Sequence, residues 1–132
     1  MRALFLSKRI DVMSQTPIFK AGDSFDLPVW LHDADPSLNV AINDVSRGVN
    51  VGSGFTFECQ VKNMNDQSLV ATLSCTPYSN QVAQKGWVLI SSQGSTAAWK
   101  RGLAQMDIKV TLGAITKHSA SFEFYIIDGV TA

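Results

Sequence analysis

The chain has 132 residues, 45% of them hydrophobic, and its eleven basic side chains balance eleven acidic ones. That size and composition fit one globular domain with its own core and exclude a disordered chain. Zero net charge removes the long-range field that nucleic-acid binders use, so no nucleic-acid partner is expected, and near-neutral surfaces favour association between subunits.

The first twelve residues, MRALFLSKRIDV, hold an apolar stretch at residues 3–6 between Arg2 and the pair Lys8-Arg9. This stretch is far below the roughly 7–15 residues of a signal-peptide core, so no export signal is expected. No run in the chain approaches the ~20 apolar residues of a membrane span, so no membrane partner is expected either. The segment is too short to fold alone and would order by gaining a partner surface. Residues 1–16 therefore read as an N-terminal arm, with Leu4, Phe5 and Leu6 as contact residues, and residues 17–132 as the folded domain. Met13 opens MSQTPIFKAGDSF, a second point at which the domain could begin. Residues 1–12 are thus either an upstream in-frame extension or a docking arm.

From there the chain repeats one pattern, apolar and polar residues in alternation, which marks strands with one buried face. In residues 24–31 (SFDLPVWL), Phe25, Leu27, Val29 and Leu31 point one way and Trp30 points the other. Pro28 cannot donate a ladder hydrogen bond, which predicts an edge strand or a break there. Residues 32–54 form a long connection with a short strand predicted at 39–42. Phe55–Asn63 alternates cleanly, with Phe55, Phe57, Cys59 and Val61 inward. Residues 68–76 come next, with Leu69, Ala71, Leu73 and Cys75 inward, and the turn-rich NMNDQ between them predicts a hairpin.

Residues 87–91 (WVLIS) give a short strand. Residues 95–99 (STAAW) read as a single helical turn capped by Ser95 or Thr96 and ended by Gly102. Residues 103–111 place Ala104, Met106, Ile108 and Val110 inward. Residues 118–127 place Ala120, Phe122, Phe124 and Ile126 inward, with Gly113-Ala114 turning between the two runs. Six or seven short strands with turn signals between them predict an all-β fold: a single antiparallel sandwich with at most one short helix.

No reaction has a candidate residue set. His32 lies in His32-Asp33-Ala34-Asp35, a solvated turn rather than a metal cluster, because no second histidine converges on it. His118 reads as a surface residue. Cys59 and Cys75 fall on inward faces, where a thiol behaves as a small hydrophobe. They are too few for a disulfide framework, and the hairpin register places Cys59 opposite Ala71 or Leu73, so both are expected to be buried free thiols. No catalytic residue, cofactor or metal is expected. Trp87 and Trp99 read as packing residues. Trp30, on the face away from Phe25, and the neighbouring His32 read as contact residues for a partner.

The run Ile18-Phe19-Lys20-Ala21-Gly22-Asp23-Ser24-Phe25 resembles the opening of the immunoglobulin-like β-sandwich found at the start of bacteriophage upper baseplate proteins and in related tail proteins. Those domains open with a hydrophobic residue, Gly-Asp and a Ser/Thr-aromatic pair. The second half is similar as well: residues 97–102, then Met106-Asp107-Ile108-Lys109, then residues 122–126 running to Gly129-Val130-Thr131. The resemblance covers residues 17–132 and departs from the family at 32–54, where a brief Gly-containing turn is usual. It implies an immunoglobulin-like sandwich and a non-enzymatic, structural or docking role in a phage virion, at tail, baseplate or capsid surface. Its partners would be other virion proteins, in multiple copies, assembled in the host cytoplasm. The family's baseplate members continue into further modules, and a free-standing copy is expected here. The alternative is a carbohydrate-binding sandwich that uses its tryptophans for host attachment.

Overall fold

A computed structural model describes residues 4–8, 16–33, 35, 37–41, 43–52 and 54–130, the first five by backbone alone. Among the described residues nine strands succeed one another: β1 (Leu4–Lys8), β2 (Ile18–Ala21), β3 (Asp26–Asp33), β4 (Phe55–Asn63), β5 (Leu69–Pro77), β6 (Trp87–Ser92), β7 (Gly102–Leu112), β8 (Ile115–His118) and β9 (Phe122–Asp128). Among the described residues the only helical element is a single 3-10 turn, Val45–Arg47. No helix there is long and apolar enough to cross a membrane.

The strands join in one strongly curled sheet in the order β1-β3-β6-β5-β4-β7-β9-β2, with β8 on the side of β7. Every pair is antiparallel except β2 with β9. β5 divides its length between two neighbours: Leu69–Leu73 runs along β4 and Leu73–Pro77 along β6. The alternating inward residues of these strands meet in one cluster. Val29 and Leu31 from β3 and Val88 and Ile90 from β6 join Val61, Ile108, Val110, Phe124 and Ile126 from the other half. Each such side chain contributes roughly 1.5–3 kcal/mol of hydrophobic stabilisation.

Several expectations need correction. Residues 4–8, expected in an arm outside the domain, form β1, which pairs with β3 of the same chain from Leu4↔Asp33 to Lys8↔Val29. β3 lies between β1 and β6 and is not an edge strand, but the β1 ladder stops at Val29, next to Pro28, in keeping with the alternative of a break there. Leu69 is exposed rather than inward. The β4–β5 register slips between Val61 and Lys62, so Val61 faces Ala71 but Lys62 faces Leu69. One extra residue in a strand transfers the residues beyond it to the opposite face. Leu69 thus shares the outer side with Lys62, and Val70 packs on the core. Phe57 and Phe122 pack only partly buried against the core. Residues 39–41 bend without forming a strand, and Ile42 lies outside the described residues. The expected helical turn at 95–99 is a hydrogen-bonded turn, with the Trp99 N–H on the Thr96 carbonyl.

Candidate functional site

The side chains singled out as contact residues lie on the second face of β3. Trp30 is 9% and His32 5% exposed, so both are buried within the chain rather than presented to a neighbour. The rings stack at 4.4 Å and 17°, with Trp87 stacked on Trp30 at 6.5 Å. The indole N–H of Trp30 donates to the Lys85 carbonyl at 3.1 Å. Leu4, Phe5 and Leu6 lie in β1 opposite Asp33, His32 and Leu31; their side chains are outside the described residues.

Two connections close over this face. Gly86, at φ +88°, presses so near β3 that a Cβ on it would strike the Leu31 carbonyl oxygen, and a Cβ on Gly48 would strike that of Lys85. Only glycine fits such backbone-to-backbone contact. The long connection is braced by Arg47, 4% exposed. Its Nε donates to the Ala41 carbonyl at 2.9 Å, Nη1 to Asp33 and Asp35 at 2.9 and 3.0 Å, and Nη2 to Val40 at 2.8 Å. Buried Gln81 does the same for residues 78–87. Its amide donates to the Tyr78 and Trp87 carbonyls, and its oxygen accepts from the Val51 and Gly86 N–H groups. Neither role is visible in the sequence, where both residues read as polar loop positions.

Burial lowers the His32 pKa below its usual 6.5; the Trp30 carbonyl, 3.5 Å from Nδ1, raises it, the Arg47 charge lowers it further and Asp33 raises it. The ring is therefore neutral near pH 7. Cys59 and Cys75 are free thiols, Cys59 buried and Cys75 half-buried. Desolvation pushes each up to about 12, and each is a poor nucleophile at neutral pH. Among the described residues no group of three or more His, Cys, Asp or Glu is placed to hold a metal ion. Trp99 is buried against Phe19 and Phe25, and Trp87 is half-buried beside Tyr78, which leaves Trp30 and Trp99 without an open ring face for a sugar.

The open surface is the outer face of β4, β7, β9 and β2. Here β4 turns out Glu58, Gln60 and Lys62, opposite Lys109, Asp107 and Gln105 of β7. Glu58 and Lys109 form an ion pair at 3.2 Å. A polar groove of about 340 Å³ is lined by these residues together with His118 and Ser121. At the far side Ile18, Tyr125 and Ile127 are 63%, 43% and 37% exposed. Ile18 and Tyr125 are ladder partners, and Leu103 faces Tyr125 on β7. The arrangement is an apolar row beside a polar field that carries charges of both signs. No protein-family model matches the chain, and no curated protein matches it.

Proposed function

We propose that this chain is a non-enzymatic docking protein of a bacteriophage virion, an immunoglobulin-like sandwich that acts through contacts with other virion proteins. The observation that carries the reading is the meeting of the first two segments of the phage resemblance, residues 18–25 and, with Thr96 just before it, residues 97–102. Gly22 donates its N–H to the Thr96 hydroxyl at 2.8 Å, and that hydroxyl donates to the Asp23 carbonyl at 2.6 Å. Phe19 and Phe25 enclose Trp99 at 5.3 and 5.5 Å. Two short motifs, more than seventy residues apart, thus close the same end of the core.

The strand order supports the sandwich. β1-β3-β6-β5 matches the A-B-E-D layer of an immunoglobulin-like domain, and β4-β7-β9 matches C-F-G. On this reading β1 is the first strand of the sandwich, β5 passes between the layers, and β2 extends the second. The glycan alternative loses support with the burial of Trp30 and Trp99.

The test is quantitative mass spectrometry and immunogold labelling of purified particles from the producing culture. The chain is expected at a fixed ratio to the major structural subunits. Its presence only in the particle-free supernatant would overturn the reading.

A further inference from the structure

Most exposed hydrophobic side chains on a folded chain are scattered and need no partner. Ile18, Tyr125 and Ile127 are not scattered. Ile18 and Tyr125 sit side by side across the β2–β9 ladder, and Ile127 lies two residues further on the same face, opposite Lys20. All three are exposed, while the alternate residues Phe124 and Ile126 are buried in the core. The row is flanked by charges of both signs. Glu123 and Lys20 border it at opposite ends along the strands, and across β7 and β4 lie Asp107 and Glu58 with Lys109 and Lys62. Three carboxylates face three ammonium groups on one surface.

We infer that this face is a self-association surface whose occupant is the same face of a second copy, related by a two-fold axis through Tyr125. The opposite charges of Glu123 and Lys20 at the two ends of the row select this partner. A surface dominated by one sign would repel its own copy, whereas an isologous contact requires self-complementarity. A two-fold axis lying across the strands at Tyr125 reverses their direction in the partner. It lays Glu123 of one copy within reach of the partner's Lys20, and places the two Tyr125 and two Ile18 side chains together at the centre, with an Ile127 on either side of them. Tyrosine is among the side chains that most often anchor such centres. Pairing of the β2 edges is the lesser option: β2 has four residues, and an exposed lysine on such an edge discourages further strands. The inference stands independently of the virion assignment, because it concerns the isolated chain.

Sedimentation equilibrium across a concentration series tests it, on the full chain and on Tyr125→Glu and Ile18→Glu. A monomer–dimer equilibrium is expected, with each substitution raising the dissociation constant about tenfold or more. Glu123→Lys should weaken the dimer as well, and the double variant Glu123→Lys/Lys20→Glu should restore it. Circular dichroism confirms that each variant keeps its β-sheet signal. A chain that stays monomeric at all concentrations assigns the face to a different partner and overturns the proposal. So does a dimer unaffected by Tyr125→Glu and Ile18→Glu.

Discussion

Phe25, immediately before β3, and Phe124 of β9 pack with ring centroids 5.4 Å apart, although four strands separate β3 from β9 in the sheet order. The contact requires the sheet to curl until its distant members face each other across the core. Phe124 also stacks on Phe122 at 5.7 Å and is 1% exposed. Phe124→Ala should cost about 3–5 kcal/mol, because the cavity is walled by strands from both halves and cannot collapse. Chemical denaturation reads this directly, and an unchanged midpoint would refute the packing.

Arg47 holds residues 33–41 through carbonyl oxygens alone in its described hydrogen bonds, so shape matters as much as charge. A lysine carries the charge but not the planar fork. Arg47→Lys should destabilise by about 1 kcal/mol and Arg47→Met by about 2, since part-buried carbonyls lose a charged donor. Hydrogen exchange should speed up locally in 33–48 in both variants, and uniform protection would contradict the bracing role.

Burial and the Arg47 charge hold the His32 pKa below 6.5, against the pull of the Trp30 carbonyl and Asp33. The unfolded chain then binds a proton at this site more readily than the folded one in mild acid. The stabilisation from neutral His32 is complete above about pH 6.5. It is lost as pH falls from there through the lowered folded value. The melting temperature should fall over that interval, and His32→Gln should flatten the profile. A melting temperature rising with acid between pH 7 and 5.5 would have the wrong sign.

Cys59 faces Leu73 across the hairpin, two residues short of Cys75. Diagonal neighbours of this kind stand roughly 7–8 Å apart, too far for an unstrained bridge. With both thiols pushed up to about 12, aromatic disulfide reagents should react slowly with the native chain at pH 8 and with both thiols at once in denaturant. Rapid native labelling of Cys59 would show that its burial is misjudged.

Alternation was sufficient to locate β4, β7 and the inward sets of Ala104, Met106, Ile108, Val110, Phe124 and Ile126, because a two-residue period leaves few alternatives. Loop length narrowed the partner of Cys59 to Ala71 or Leu73, and the second is the one observed. The bulge at Val70 was not legible, since Leu69, Val70 and Ala71 are all small or apolar and either register looks satisfactory. Nor was the cover over Trp30 and His32. Period two identifies two faces without saying that something lies on the second. The clue was the unbroken run Val29-Trp30-Leu31, which suits a strand buried on both sides. Arg47 and Gln81 act through backbone groups far along the chain, and such partners leave no local pattern.

The parallel pairing of β2 with β9 bears on how the molecule forms. Ile18 meets Tyr125 only after more than a hundred intervening residues have been placed. Long-range closure of this kind is slow, and its entropic cost falls before any contact rewards it. During synthesis β2 lacks its described ladder partner until β9 leaves the ribosome, so the Phe19–Phe25–Trp99 end of the core stays open until then. A nascent chain stalled before Phe122 should therefore remain sensitive to protease, and resistance should appear abruptly once β9 is available.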